Sequence, residues 1–200
     1  MLLYDSPISG NCYKVRLLFA HLGVEYERRE VDVVDRSDRR EHLAALNPSR
    51  GVPTLVLDDG RPLGESHAIL WLFGEGTRLV PADAYERALV LQWLAFEQHE
   101  LEPSLGTARF CISHSGWPRE RYEPRLKEWW SRAGRALAAL DAALDGRTWL
   151  VGETPTLADL SLYAYTHTAG EAEVELEPYA NVRRWLSAVA TMPGHVPMRA

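Results

Sequence analysis

The residues whose types and spacing suit chemistry fall in two short stretches of the chain. In the first, NPSRGVPTLVLDDGRPLGESHAILWL from Asn47 to Leu72, Pro53 stands between a turn-like segment and an apolar run. A residue without an N–H leaves the neighbouring backbone edge open there, and the position accommodates a cis bond. An open edge pairs with an extended peptide. Glu65 and Ser66 then open a helix, where unsatisfied N–H groups favour an anion. Ser66 suits an α-carboxylate and Glu65 the ammonium beside it, so the stretch is fitted to a small peptide. The second stretch, Ser9-Gly10-Asn11-Cys12, enters the first helix and offers a hydroxyl, a carboxamide and a thiol to the positive end of the helix. A bland alternative stands beside each feature, because a serine at a helix start is usually a cap worth about 1 kcal/mol.

The elements that must position these residues follow from periodicity and punctuation. Met1 to Tyr4 is a short apolar strand, and DSPISGN leads into an amphipathic helix through Val15, Leu17, Leu18 and Leu22 that Gly23 stops. Tyr26 to Val33 alternates as a second strand, and Asp38 to Leu46 is a short helix that Asn47-Pro48 ends. Val52 to Leu57 and Pro62-Leu63, joined across Asp59-Gly60, form a hairpin, and the helix from Glu65 follows at once. The order is βαβ, then ββα. Residues 77–84, in a Gly- and Pro-containing stretch, read as a linker, and the chain beyond is helical. Tyr85, Leu89, Trp93 and Phe96 share one helix face, with a kink or break expected at Pro103. Leu126, Trp130, Ala133, Leu137, Leu140 and Leu144 mark a long helix, and Val182, Trp185, Leu186 and Val189 the last one. In Thr156-Leu157-Ala158-Asp159 the Thr and Asp have the spacing of a variant capping box, which gives Asp159 a structural role.

Composition narrows the function classes. At 200 residues, 46% hydrophobic and 25% charged, the chain has the balance of an ordinary globular protein. A net charge of −6 argues against a nucleic-acid partner, which wants a basic stripe. No apolar run approaches the roughly 18 residues of a membrane span, and the first residues lack the features of a signal peptide, so the expected location is cytoplasmic. The two cysteines, Cys12 and Cys111, lie far apart in sequence, which fits a reducing compartment. Neither belongs to a CxxC pair and the seven histidines show no ligand spacing, so no metal is expected.

NPSRGVPTL followed by GESHAIL resembles the glutathione-binding half of the soluble glutathione S-transferases, which have a cis proline after Val and a Glu-Ser pair before a helix of this type. PADAYERALVLQWLAFEQHELEP and the terminal PGHVPM are similar to one bacterial branch of that family, so the likeness covers nearly the whole chain. It implies an α/β thioredoxin-like N-terminal domain at 1–76, a linker at 77–84 and an all-α helical bundle domain at 85–200 contributing the hydrophobic substrate site. It also implies a homodimer with glutathione as co-substrate and a small hydrophobic electrophile as partner.

On that resemblance, the chemistry is ionisation of a thiol with a free pKa of about 8.5, which must fall by about one to two to raise the thiolate well above a few per cent at neutral pH. Alignment on SGNCYKVRL puts Ser9 where the family contacts the glutathione sulfur, and Asn11 matches an asparagine used in some bacterial members. Val52 would pair its backbone with the cysteinyl unit beside Pro53, and Glu65 and Ser66 would hold the γ-glutamyl end. Among Arg36, Arg39, Arg40 and Arg50 for the glycine carboxylate, Arg50 is nearest the motif. Many relatives have Gln or Lys where this chain has Gly51, so one contact is missing. Tyr4 is expected to pack within the first strand. Tyr13, Arg109, Phe110, Cys111 and His114 fall in the region of the electrophile site, with a place in the core as the equal alternative. Two alternatives stay open: a glutathione-dependent disulfide oxidoreductase, working through Cys12, and a non-catalytic protein that binds glutathione or an apolar ligand.

Overall fold

In a computed structural model, which describes residues 1–199, the chain divides into two units. The first comprises Met1 to Thr77 together with the chain from Pro193 on, and the second runs from Arg78 to Met192. The tail, which the sequence assigns to the helical half, therefore groups with the sheet.

In the first unit, Leu3, Tyr4 and Asp5 of β1 (Leu2–Asp5) are all buried, which makes β1 a central strand. It runs parallel to β2 (Glu27–Glu30) and antiparallel to β3 (Thr54–Val56), and β4 (Pro62–Gly64) closes antiparallel on β3. Leu3 faces Leu55, which faces Leu63, in a sheet of order β2-β1-β3-β4. With α1 (Gly10–Leu22), α2 (Arg39–Leu43) and α3 (Ser66–Gly74), this is the thioredoxin-like arrangement. Burial continues almost all round α1, from Cys12 to Phe19, and Phe19 meets Phe73 of α3 edge-on at 4.8 Å. Tyr4 packs with Val31 and Leu43 in the core, as its place in the first strand implies.

Two elements are shorter than their sequence pattern. β2 stops at Glu30 because the Asp32 carboxylate accepts from the Val34 N–H at 2.6 Å and the Asp35 N–H at 3.2 Å, a local turn that takes Val33 and Val34 out of the ladder. α2 ends at Leu43, and the Leu46 and Asn47 N–H groups both return to the Leu43 carbonyl.

The second unit is helical among its described residues. No break occurs at Pro103. Helix α4 (Ala84–Phe96) continues through a π-helical stretch, Glu97–Gly106, into α5 (Thr107–Arg109) and a second π-helical turn, Phe110–His114. The wider winding accommodates a ring that lacks an N–H and crowds the preceding turn. α6 (Glu123–Ala143) buries Trp129 rather than Trp130; the Trp130 indole N–H sits half-buried and donates to the Ala172 carbonyl at 2.9 Å. α7 (Leu157–Thr166) begins with the capping box and lies beside α8 (Ala180–Ala190).

Asp159 is fully buried and accepts from the Thr156 N–H (2.8 Å), the Thr156 hydroxyl (3.1 Å), the Leu150 N–H (3.1 Å) and the Trp185 indole N–H (2.9 Å). Burial pushes its carboxyl up from the ordinary range, and these donors oppose that push. One side chain thus joins the α7 cap, the preceding loop and α8. Replacing Asp159 by Ala strands several buried donors and is expected to cost about 3 kcal/mol, read as a lower urea midpoint, with Asp159→Asn losing less.

Candidate functional site

The loop after β1 is held from beneath. Arg16, on the buried face of α1, donates to Asp5 and to the carbonyls of Ser6 (3.2 Å), Pro7 (3.4 Å) and Met198 (2.7 Å). Arg28 from β2 reaches the other Asp5 oxygen at 2.8 Å. The loop so fixed ends in Ser9, the N-cap of α1, whose Oγ accepts from the Cys12 N–H at 3.3 Å. Ser9 and Asn11 are partly exposed at this helix end, whereas Cys12 is fully buried.

Asn11 turns its carboxamide oxygen into the protein. It accepts from the Lys14 ammonium at 2.7 Å and from the Ser66 hydroxyl, at the start of α3, at 3.4 Å. Lys14 is fully buried and also lies 3.4 Å from Nε2 of His67. Residues 55 positions apart in sequence, at the N-termini of two helices, therefore meet through one amide.

The Pro53 stretch is organised by Asn47. Its Nδ2 donates to the Thr54 hydroxyl at 2.9 Å, and its Oδ1 accepts from the Ser49 N–H and hydroxyl at 3.0 and 2.9 Å. A β-carbon at Gly64 would come within 2.7 Å of Asn47 Nδ2, so β4 approaches this turn as only glycine allows. The Val52-Pro53 peptide bond is cis, and the Val52 N–H and carbonyl have no partner among the described residues. The backbone edge stays open at Val52.

Glu65 caps α3 with φ 64°, a left-handed conformation that costs a glutamate about 1 to 3 kcal/mol. Its carboxylate is exposed and makes no hydrogen bond among the described residues, beside the buried Ser66. Arg36, Arg39, Arg40, Ser49 and Arg50 line a cavity of about 260 Å3. Burial first, and then the neighbouring Arg36, push the Arg39 guanidinium down from its ordinary value, with Asp38 opposing.

Two expectations change here. Cys12 has its thiol pushed up to about 12, first by burial and then by Asp5, against smaller opposing help from Ser9 and Arg16. A helix N-terminus does not activate a thiol that points into the core. Tyr13 is also fully buried, with its hydroxyl donating to the Val196 carbonyl at 2.8 Å, so it lines no open surface. In the second unit Arg109 and Cys111 are buried, Arg109 and His114 both meet Glu171 (2.9 and 3.1 Å), and Phe110 packs edge-on against Trp117. Sequence reasoning missed Lys14, Asn47 and Arg16. The available signal was the cation pair Lys14 and Arg16 inside an apolar helix, which requires buried partners.

Residues 8–75 match the family described as glutathione S-transferase, N-terminal domain, and residues 104–193 the glutathione S-transferase, C-terminal domain. A glutathione S-transferase structure from Pseudomonas fluorescens Pf-5 is 38% identical, with a TM-score of 0.94 over 98% of both chains. The disulfide-bond oxidoreductase YfcG of Escherichia coli K12 is 27% identical over 96% of this chain and 90% of its own. A glutathione transferase from Burkholderia graminis, solved with two glutathione molecules per subunit, is 29% identical with a TM-score of 0.83, covering 96% of this chain and 84% of that one.

Two measurements follow from the geometry. At about pH 8 a thiol with a pKa of about 12 is ionised to roughly one part in ten thousand, so Cys12 is expected to resist an aromatic disulfide reagent in the native protein and to react on denaturation. Glu65→Gly removes strain of about 1 to 3 kcal/mol against a glycine entropy cost of about 0.5 to 1, and is expected to stabilise the fold by about 1 kcal/mol in urea unfolding.

Proposed function

The chain belongs to the glutathione S-transferase family, and on that premise we propose that it binds glutathione, ionises the thiol over Ser9 and Asn11, and transfers the thiolate to a hydrophobic electrophile. The observation that carries this is the contact of Asn11 with Ser66 at 3.4 Å, because it brings the thiol donors next to the amino-acid clamp. The γ-glutamyl carboxylate would lie at Ser66, with its ammonium at the exposed Glu65 carboxylate. The cysteinyl backbone would pair with Val52 at the open edge, and the glycine carboxylate would enter the arginine-lined cavity at Arg50.

The energetics are of the right size. Lowering a thiol pKa by one to two requires roughly 1.4 to 2.7 kcal/mol. One hydrogen bond to a charged acceptor contributes about 1.5 to 3 kcal/mol, and a helix N-terminus about 0.3 to 1. Ser9 or Asn11 alone, helped by α1, is sufficient.

A second reading, disulfide exchange, is favoured by the likeness to YfcG. It needs no protein thiol. The bound thiolate would attack one sulfur of a disulfide while the other leaves as thiolate; a second glutathione thiolate would then attack the glutathione sulfur of the mixed disulfide, releasing the remaining substrate sulfur as thiolate and glutathione disulfide as product. Burial of Cys12 favours this route over one through the cysteine. Exposed apolar residues, Leu72 on α3 and Tyr85 and Leu91 on α4, support a homodimer, which sedimentation velocity would test. The cytoplasm, where glutathione is reduced, is the setting this chemistry fits.

Thiolate absorbance of the bound complex, titrated with pH, tests the proposal. Because the bound pKa lies below the free value, affinity rises with pH between the two and is flat above both. A midpoint below about 8.5 is expected, with Asn11→Ala moving it up by about one and lowering kcat/KM at neutral pH about tenfold. Arg50→Ala is expected to weaken binding about tenfold with the midpoint unchanged. A wild-type complex that titrates at the free value would reduce the protein to a carrier.

A further inference from the structure

A lysine with no exposed surface stands directly behind the asparagine of the thiol site. An ammonium can only donate, so the Asn11 atom 2.7 Å from Lys14 Nζ must be the carbonyl oxygen. That oxygen also receives the Ser66 hydroxyl at 3.4 Å, which occupies both of its acceptor positions. The amide is planar, so fixing its oxygen fixes its NH2 group. Nδ2 has no partner among the described residues and faces away from Lys14 and Ser66. Without the lysine, either end of the amide would serve the Ser66 hydroxyl, and a flipped Asn11 would present an oxygen to an anion.

Burying an ammonium in a helix is costly, and a methionine would fill similar space without a charge to desolvate. The cation therefore has a use besides packing. Other charged and titratable groups described at this end of the first unit have contacts or exposure of their own. Asp5 is paired with Arg16 and Arg28 beneath the loop, Glu65 is exposed at the α3 cap, Cys12 points into the core, and His67 of α3 lies 3.4 Å from Lys14. Lys14 is the cation in hydrogen-bond contact with Asn11.

We propose that Lys14 is a positioning residue for the thiolate: it locks the Asn11 carboxamide with its N–H donors toward the sulfur and polarises that amide with a buried positive charge. The proposal rests on the reading that the glutathione sulfur lies over Asn11. A bound thiolate would then meet an N–H donor already turned toward it, with the positive charge one hydrogen bond behind and no carboxamide rotation needed when the proton leaves.

The test is the pH titration of bound glutathione thiolate in wild type, Lys14→Met, Lys14→Arg and the Asn11→Ala/Lys14→Met pair, with binding of S-methylglutathione, which has no thiol to ionise, measured in each. Lys14→Met is expected to raise the thiol midpoint by about one and to lower kcat/KM near neutral pH about tenfold, with S-methylglutathione affinity changed less than twofold. Lys14→Arg, which keeps a charged donor, restores most of the shift. In the Asn11→Ala background Lys14→Met adds little. A Lys14→Met midpoint equal to a lowered wild-type one overturns the role of Lys14 alone, and equal losses of S-methylglutathione binding and thiol ionisation reduce it to a structural residue. A wild-type midpoint at the free thiol value overturns the thiol reading and this inference together. If Lys14→Met does not fold, Lys14→Gln, which keeps a donor and loses the charge, decides: a midpoint identical to wild type overturns the electrostatic part, and a raised one upholds it.

Discussion

Arg16 reaches into the sheet from the buried side of α1 and binds Asp5 at the end of the central strand, and the position of every polar group at the helix entrance depends on that pair. Both side chains are almost completely excluded from solvent, at 5% and 2% exposure. Coulomb attraction alone does not repay the desolvation of two such charges; the remaining hydrogen-bonding capacity has to be used as well. It is used on the chain itself: Arg16 also holds the carbonyls of Ser6 and Pro7, which precede the cap, and of Met198 in the returning tail. One guanidinium thereby ties strand, loop, helix and tail into a single body. Its planar fork with several fixed donors explains why arginine serves here and lysine would not.

The chain is acidic overall, with a net charge of −6, yet the first unit gathers positive potential around one edge. Two helix N-termini, those of α1 and α3, contribute partial charges, Lys14 a whole charge beneath Asn11, and four arginines the cavity beyond Pro53. On the proposed reading, a tripeptide carrying two carboxylates and a thiolate would complement such a pattern, and the exposed Glu65 would supply a negative group for its ammonium. The arrangement explains why a global charge count is silent about small anions. Local potential is set within roughly a Debye length of about 8 to 10 Å, and residues elsewhere on the surface are screened from it.

What was legible in the sequence is what depends on neighbours in the sequence. The strand and helix order, the Gly23 stop, the cis Val52-Pro53 bond, the Glu65-Ser66 helix start and the Thr156-Asp159 capping box all rest on contacts within a few positions. What was not legible depends on partners brought together by folding. Lys14 and His67 are 53 positions apart, and Arg16 and Met198 are 182 apart; the apolar helix around the two cations signals burial, and nothing local names their partners. The same cause accounts for the misreadings. Trp129 and Trp130 are equivalent in hydrophobicity, and only the position of Ala172 decides which one stays at the rim. Pro103 reads as a helix breaker because the α-helical ladder has no place for it, whereas a π-helical winding does. Cys12 has the local position of an activated thiol, and its inward direction is a property of the folded helix.

Ser9 shows how a structural and a chemical role coincide. As the cap of α1 its oxygen accepts from the Cys12 N–H, which on its face settles the residue as a folding element. A hydroxyl has two acceptor positions and one proton, however, and capping consumes only acceptor capacity. The proton remains, and the oxygen carrying it is pinned at the positive end of a thirteen-residue helix whose entering loop Arg16 holds from below. Accepting a hydrogen bond from the backbone withdraws electron density from that oxygen and makes the remaining O–H a better donor to an anion. Capping therefore supplies what a thiolate donor requires, a fixed position, a favourable field and a polarised proton. The cap and the proposed thiol ligand are the same serine in the same geometry, distinguished only by what lies on its free side.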